Sequence, residues 1–165
     1  MVRTHLKAIL AVLVLISITA AVSWAKADSK AADETAIKKL VANFNDCFNR
    51  KDAHACTMLY AEDGEFTSSR GDMYTQGHPA MEKHYQQVFS TFLKNAHRTG
   101  TVRRIRFLSP TMASVDTDWE LVGATSPYGT GEAPPVRKGL LTWIVTKQNG
   151  QWYITIFHEF DFSGK

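Results

Sequence analysis

A few side chains in this chain have the chemistry and the placement to do more than pack. His158 stands alone on an otherwise apolar strand face. An imidazole there is able to act as a general acid or base, with burial tuning its pKa. It is equally able to be a core residue with both ring nitrogens satisfied. Asp63 either orients His158 or touches a ligand, or makes only the local bond of an Asp-Gly turn with Gly64. Arg103 falls on the same inner face as the aromatic residues if its strand is regular, and there it needs a carboxylate partner from the protein or from a ligand. A one-residue bulge would put it in solvent instead, and the Arg103-Arg104 doublet makes such a slip easy. Tyr60, Trp119, Trp143 and Phe160 are the candidate walls of a pocket for an apolar or aromatic molecule, or else ordinary core filling.

These residues depend on the last hairpin, Arg137 to Asp161. Asn149-Gly150 lies between two β-rich runs, and a two-residue loop of this type requires positive φ at both positions. The expected register places Gln148 opposite Gln151, Val145 opposite Ile154, Trp143 opposite Ile156 and Leu141 opposite His158. One face then carries Leu141, Trp143, Val145, Trp152, Ile154, Ile156, His158 and Phe160. The other carries Leu140, Ile144, Tyr153, Phe157 and Glu159, so Glu159 points away from His158. Much of that second face is apolar, which implies a partner surface.

Upstream, Ile37, Leu40, Val41, Phe44, Cys47 and Phe48 recur at helical spacing after a possible cap at Asp33. Asp52 starts a second, short helix carrying Cys56, Met58, Leu59 and Tyr60 and ending at Asp63-Gly64. Short strands are expected at 65–68 and 74–76, with a turn over 69–72. Pro79 opens a third helix with Met81, Tyr85, Val88, Phe89 and Phe92 on one side. Strands over 101–108 and 112–123 pair so that Phe107 faces Ala113, Ile105 faces Val115 and Arg103 faces Thr117. On their outer face Asp116, Asp118 and Glu120 lie beside Arg104 and Arg106. Three carboxylates on one face could bind a hard cation, but neighbouring arginines neutralise them as a solvated sheet surface would require. Gly123 to Val136 is a long loop rich in Gly and Pro. Helices early and strands late give an α+β domain: three helices on one face of a curved antiparallel sheet.

The first 27 residues read as a secretory leader: Arg3 and Lys7, an apolar run from Ala8 to Val22, and an Ala25-Lys26-Ala27 cleavage site. The apolar run is shorter than a spanning helix needs, so no stable membrane anchor is expected after cleavage. Residues 28–32 form a short polar tail and 33–162 the domain. The whole chain has 19 basic and 16 acidic residues; Arg3, Lys7 and Lys26 leave with the leader and no acid does, so the mature chain is neutral. That balance gives no footprint for nucleic acid. A secreted or periplasmic setting permits a Cys47–Cys56 disulfide, although spacing alone leaves two buried thiols as the alternative. No zinc spacing, HExxH, phosphate loop, dinucleotide fingerprint or Ser/His/Asp arrangement is present, so no metal and no cofactor is expected.

Asn49-Arg50-Lys51-Asp52 followed by Leu59-Tyr60-Ala61-Glu62-Asp63-Gly64-Glu65-Phe66 resembles the helix-to-strand junction of the nuclear transport factor 2-like superfamily. Gly77, Ala80-Met81 and Tyr85 resemble its third-helix start. Gly150-Gln151-Trp152 through His158 resembles the final strand of its SnoaL-like and small secreted ketosteroid-isomerase-like members. The resemblance covers about residues 33–162 and implies a cone-shaped sheet with a pocket beneath three helices. Homodimers through the outer sheet face are common in such folds. It implies no single activity, since the fold hosts isomerases, cyclases, dehydratases, hydrolases and binding or dimerisation modules. Ketosteroid isomerases carry a tyrosine in the first helix and an aspartate in the first strand. Here those places hold Phe44 and Ser68 or Thr67, which supply neither the oxyanion donor nor the base. Two functions stay open: a small-molecule pocket protein doing acid–base chemistry through His158, or a non-catalytic module using its outer sheet face.

Overall fold

The structure is a computed structural model, and it describes residues 29–68, 71, 74–126 and 133–163. The leader expected over 1–27, part of the turn expected over 69–72 and the centre of the 123–136 loop lie outside those residues. The chain divides into two units between Thr35 and Ala36. In the first, residues 29–35 are helical, so Asp33 lies inside a helix instead of capping one, and the polar tail expected over 28–32 is helical from residue 29. Lys30-Ala31-Ala32 are strong helix formers, which explains the earlier start.

In the second unit, α1 runs over 36–50. Its expected stripe is buried from Ile37 to Phe48. The helix stops at Lys51, whose φ of 59° is left-handed. Asp52 N donates to Cys47 O at 3.0 Å and Lys51 N to Phe48 O at 3.1 Å, which pairs the last carbonyls of the helix. The next helix, α2 (Ala53–Thr57), is capped by the Asp52 carboxylate, which accepts from Ala55 N at 2.9 Å. Cys47 and Cys56 are joined in a disulfide with their Cα atoms 5.4 Å apart, tying the end of α1 to α2.

Helix α2 is shorter than the sequence suggests. Tyr60 is not helical; it opens strand β1 (Tyr60–Thr67), and Ile154 N donates to Leu59 O at 2.9 Å. Pairing with the last strand overrides the local helical pattern here. The rest follows as β2 (Tyr74–Gln76), α3 (His78–Ser90), β3 (His97–Ser109), β4 (Met112–Val122), β5 (Val136–Gln148) and β6 (Gln151–Asp161). The curved, six-stranded sheet has the order β2-β1-β6-β5-β4-β3. β1 and β6 run parallel, and the other neighbouring pairs are antiparallel. The helices bring Phe44 against Trp143 and Phe157 at ring-centroid distances of 5.2 and 5.3 Å, so they cover the face that carries those rings. Phe48 meets Phe89 of α3 edge-on at 5.2 Å.

Two bulges reset which side chains face inward. The β5–β6 register agrees with expectation from Gln148–Gln151 to Val145–Ile154, and then Thr155 is skipped. Its hydroxyl lies 2.8 Å from that of Thr146. Beyond it Ile144 pairs with Ile156, Trp143 with Phe157, Thr142 with His158 and Leu141 with Glu159. One extra residue exchanges the two faces of everything downstream. Phe157 is therefore buried, while His158 and Phe160 are exposed. The second bulge is Arg103 itself: Val102 pairs with Thr117 and Arg104 with Asp116. Arg103 does not face Thr117, and it reaches instead to Asp118, with both side chains about half exposed.

Candidate functional site

The covered face of the sheet holds a polar cluster inside an aromatic shell. At its centre is Arg98 on β3, a strand at the edge of the sheet. Its side chain is 4% exposed. Edge strands lack a neighbour on one side, and α1 supplies one. The Asn49 side chain donates to Arg98 O at 2.9 Å and accepts from Arg98 N at 2.8 Å, as a paired strand would. One turn earlier, Asn45 donates to Gly100 O at 3.0 Å. A side chain at position 100 would collide with Asn45, its Cβ falling 2.8 Å from Oδ1, so glycine permits the clamp.

Arg98 Nη1 donates to Glu159 Oε1 at 3.1 Å, and the Glu159 side chain is 17% exposed. The guanidinium carbon lies 5.2 Å from the Trp119 ring centroid and 5.5 Å from that of Phe44. Trp119 has glycine opposite it on both neighbouring strands, Gly100 and Gly139. A Cβ on Gly139 would lie 2.7 Å from the indole carbons Cε2 and Cζ2 and 1.8 Å from Phe160 O. Trp119 thus lies across the sheet where side chains have been removed to admit it. Arg137, also near Trp119 at 5.9 Å from its ring centroid, is paired with Asp161. Burial alone would raise the Asp161 carboxyl, but bonds from Ser163 and Arg137 together hold it below the usual range.

Deeper in, the Tyr60 and Tyr85 hydroxyls are 2.8 Å apart. Both residues are buried. Burial, with Tyr85 beside it, pushes Tyr60 well above the ordinary phenol value, and burial likewise raises Tyr85. The charges of Arg98 and Glu159 act on both tyrosines, so the two polar pairs share one interior. At neutral pH the tyrosines are therefore neutral hydroxyls.

Several donors in this interior have no protein partner. Arg98 Nε and Nη2, Trp119 Nε1, Trp143 Nε1 and Thr117 Oγ1 are all buried and unbonded. A buried polar atom without a partner costs about 1–3 kcal/mol, and five such atoms lie in this interior.

Of the residues expected at the site, Tyr60, Trp119 and Trp143 are buried on this side. The others are not part of it. His158 is exposed on the outer face opposite Thr142 and Thr67. Phe160 is 49% exposed on the same face. Asp63 is exposed in the irregular stretch of β1 between Tyr60 and Glu65. Arg103 and Asp118 border a groove of about 340 Å³ with Glu120, Lys138 and Phe162, and Trp119 and Gly139 line the same groove. Sequence reading missed Arg98, Glu159 and Tyr85. Asn45 and Asn49, four apart on one helix, were a signal that α1 has a polar seam against a strand. Among the described residues no group of three or more His, Cys, Asp or Glu side chains could hold a metal ion, and no helix is long and apolar enough to cross a membrane.

A curved, unclosed six-stranded sheet with helices over one face is the nuclear transport factor 2-like architecture. Residues 29–158 match the SnoaL-like domain, and the chain belongs to that family. Among curated proteins none matches it. Among solved structures it resembles a protein of unknown function from Shewanella oneidensis MR-1 described as NTF-2 like, at 22% identity and a TM-score of 0.62, covering 78% of this chain and 99% of that one. It also resembles a protein from Novosphingobium aromaticivorans provisionally described as a scytalone dehydratase, at 18% identity, TM-score 0.66, and 81% and 86% coverage. A third is a ketosteroid isomerase-like protein from Erwinia carotovora atroseptica, at 19% identity, TM-score 0.64, and 78% and 95% coverage. Identities this low establish the fold they share.

Proposed function

We propose that this protein binds a small apolar or aromatic molecule between its helices and the covered face of the sheet. The observation that carries the reading is the set of unpartnered buried donors on Arg98, Thr117, Trp119 and Trp143, facing an interior otherwise made of rings. Pockets of this kind are mainly apolar with a few convergent polar groups. If the protein is an enzyme, Glu159 replaces His158 as its acid–base group, because it is the carboxylate held inside by Arg98. The neutral Tyr60–Tyr85 pair would then supply one hydroxyl donor, the other proton being held in the bond between them. The dehydratase and isomerase-like descriptions of two structural neighbours agree with such chemistry, without selecting a reaction.

The leader-like sequence of residues 1–27 and the Cys47–Cys56 bridge support a secreted or periplasmic setting. The outer face, with Leu140 and Ile144 half-buried and Phe160 exposed, supports a homodimer through that sheet surface. The test of the ligand reading is an unbiased small-molecule library presented to the purified mature protein, with bound species identified by mass spectrometry. Retention of apolar small molecules that Trp143→Ala releases is the expected result. A library that yields no retained compound would leave the outer-face module as the better reading.

A further inference from the structure

Away from the packed interior, the register of β3, β4 and β5 lays two polar rows side by side on one face of the sheet. Thr99 pairs with Glu120 and Glu120 with Lys138; two residues along, Thr101 pairs with Asp118. Trp119 lies between the rows with glycine on either side of it, Gly100 and Gly139, and its side chain belongs to the opposite face. The groove of about 340 Å³ runs along these rows, and Arg103 and Phe162 border it too. Phe162 N donates to Lys138 O at 2.9 Å, which holds that residue beside the first row, and Phe162 is 51% exposed. A space of this size lies at the lower end of the range for small-molecule sites, about 300–1,000 Å³.

The charges around the groove cancel in pairs. Arg103 Nε donates to Asp118 Oδ2 at 2.9 Å and Nη2 to the other carboxylate oxygen, while Lys138 Nζ lies 2.8 Å from Glu120 Oε2. These four side chains are between 43% and 66% exposed, so each still has donors or acceptors that now face water. The hydroxyls of Thr99 and Thr101, both exposed, each donate and accept. A ligand of one charge would break an ion pair here or lie beside its own sign. A wholly apolar ligand would strip water from four ionised groups and return nothing to them. A neutral molecule rich in hydroxyls replaces that water bond for bond, and an apolar C–H face on it has the Phe162 ring to lie against.

We infer that this groove is a binding site for a neutral saccharide of about one or two sugar rings, the number its volume admits. Asp118, Glu120 and Lys138 take the sugar hydroxyls from one side and Thr99 and Thr101 from the other, with Phe162 as the apolar platform. The site is separate from the interior described above and does not rest on it.

The test is a set of amide proton–nitrogen correlation spectra of the mature protein, titrated with glucose, N-acetylglucosamine, maltose and cellobiose, and with citrate and putrescine as charged probes. Saturable shifts centred on Thr99, Thr101, Asp118 and Lys138 are expected with at least one sugar, at a Kd of about 0.1–10 mM. Citrate and putrescine should bind more weakly than that sugar. Phe162→Ala alters a half-exposed residue beyond the end of β6, and should weaken the sugar at least about fivefold while leaving distant signals in place. Tighter binding of either charged probe, sugar shifts centred elsewhere, an affinity that Phe162→Ala leaves unchanged, or no saturable shift with any of the four sugars overturns the assignment.

Discussion

Replacing Phe157 and His158 separately by alanine tests where the β6 bulge lies, and with it the identity of every inward residue beyond Thr155. Phe157 is 2% exposed and lies within 5.1 to 6.1 Å, by ring centroid, of Phe44, Tyr60, Phe66 and Trp143. Truncating a phenylalanine in such a position removes its transfer energy and leaves a cavity, at a cost of about 3–5 kcal/mol. His158 is exposed, and no buried contact depends on it, so its truncation should change stability by no more than about 0.5 kcal/mol. Equilibrium unfolding in urea measures both. With a slope of about 2 kcal/mol per molar, Phe157→Ala should lower the midpoint by about 2 M and His158→Ala by almost nothing. The opposite order, with His158→Ala the damaging change, would mean that the hairpin runs without its bulge and that Glu159 faces solvent.

The other expectations concern the groups that build the site. Gly139→Ala forces a Cβ to within 1.8 Å of Phe160 O and against the Trp119 ring, and should cost more than about 3 kcal/mol in the same assay, well beyond a propensity effect. Reduction of the Cys47–Cys56 bridge, which closes a loop of sequence separation 9, should cost about 2.5 kcal/mol on chain-entropy grounds, seen as a lower melting temperature in reductant. The raised pKa of Tyr60 and Tyr85 favours their neutral forms in the folded state, so their contribution to stability is complete below the unfolded value near 10 and is lost as pH rises from there toward the folded values. An ultraviolet titration should find two of the five tyrosines ionising only as the protein unfolds.

Much of the fold is legible in the sequence, and the gaps have physical causes. The α1 stripe, the Asp52 cap, the Asn149-Gly150 turn and the Phe107–Ala113 register follow from periodicity and turn chemistry, and all are present. The bulge at Thr155 is not legible, because β6 is apolar on both parities: Ile154, Ile156 and Phe160 on one, Tyr153 and Phe157 on the other. Alternation cannot choose a register when both faces qualify. That ambiguity put His158 inside and Glu159 outside, the reverse of the structure. Arg98 was missed for another reason. The stretch His97-Arg98-Thr99-Gly100 is polar and contains glycine, so it does not read as strand; it is held by Asn45 and Asn49 from a helix some fifty residues earlier. Arg103, by contrast, was recognisable as ambiguous, since two consecutive arginines cannot both face outward without the bulge that the structure contains.

The central claim is that the interior around Arg98 is a ligand site. A crystal structure of the mature protein, grown with the tightest compound from the library, tests it most directly. The account predicts ligand density in contact with Arg98 Nε and Nη2 and with at least one of the Trp119 and Trp143 indole N–H groups. A ligand seated instead in the groove beside Arg103 and Lys138, with the interior donors satisfied by ordered water alone, would contradict it.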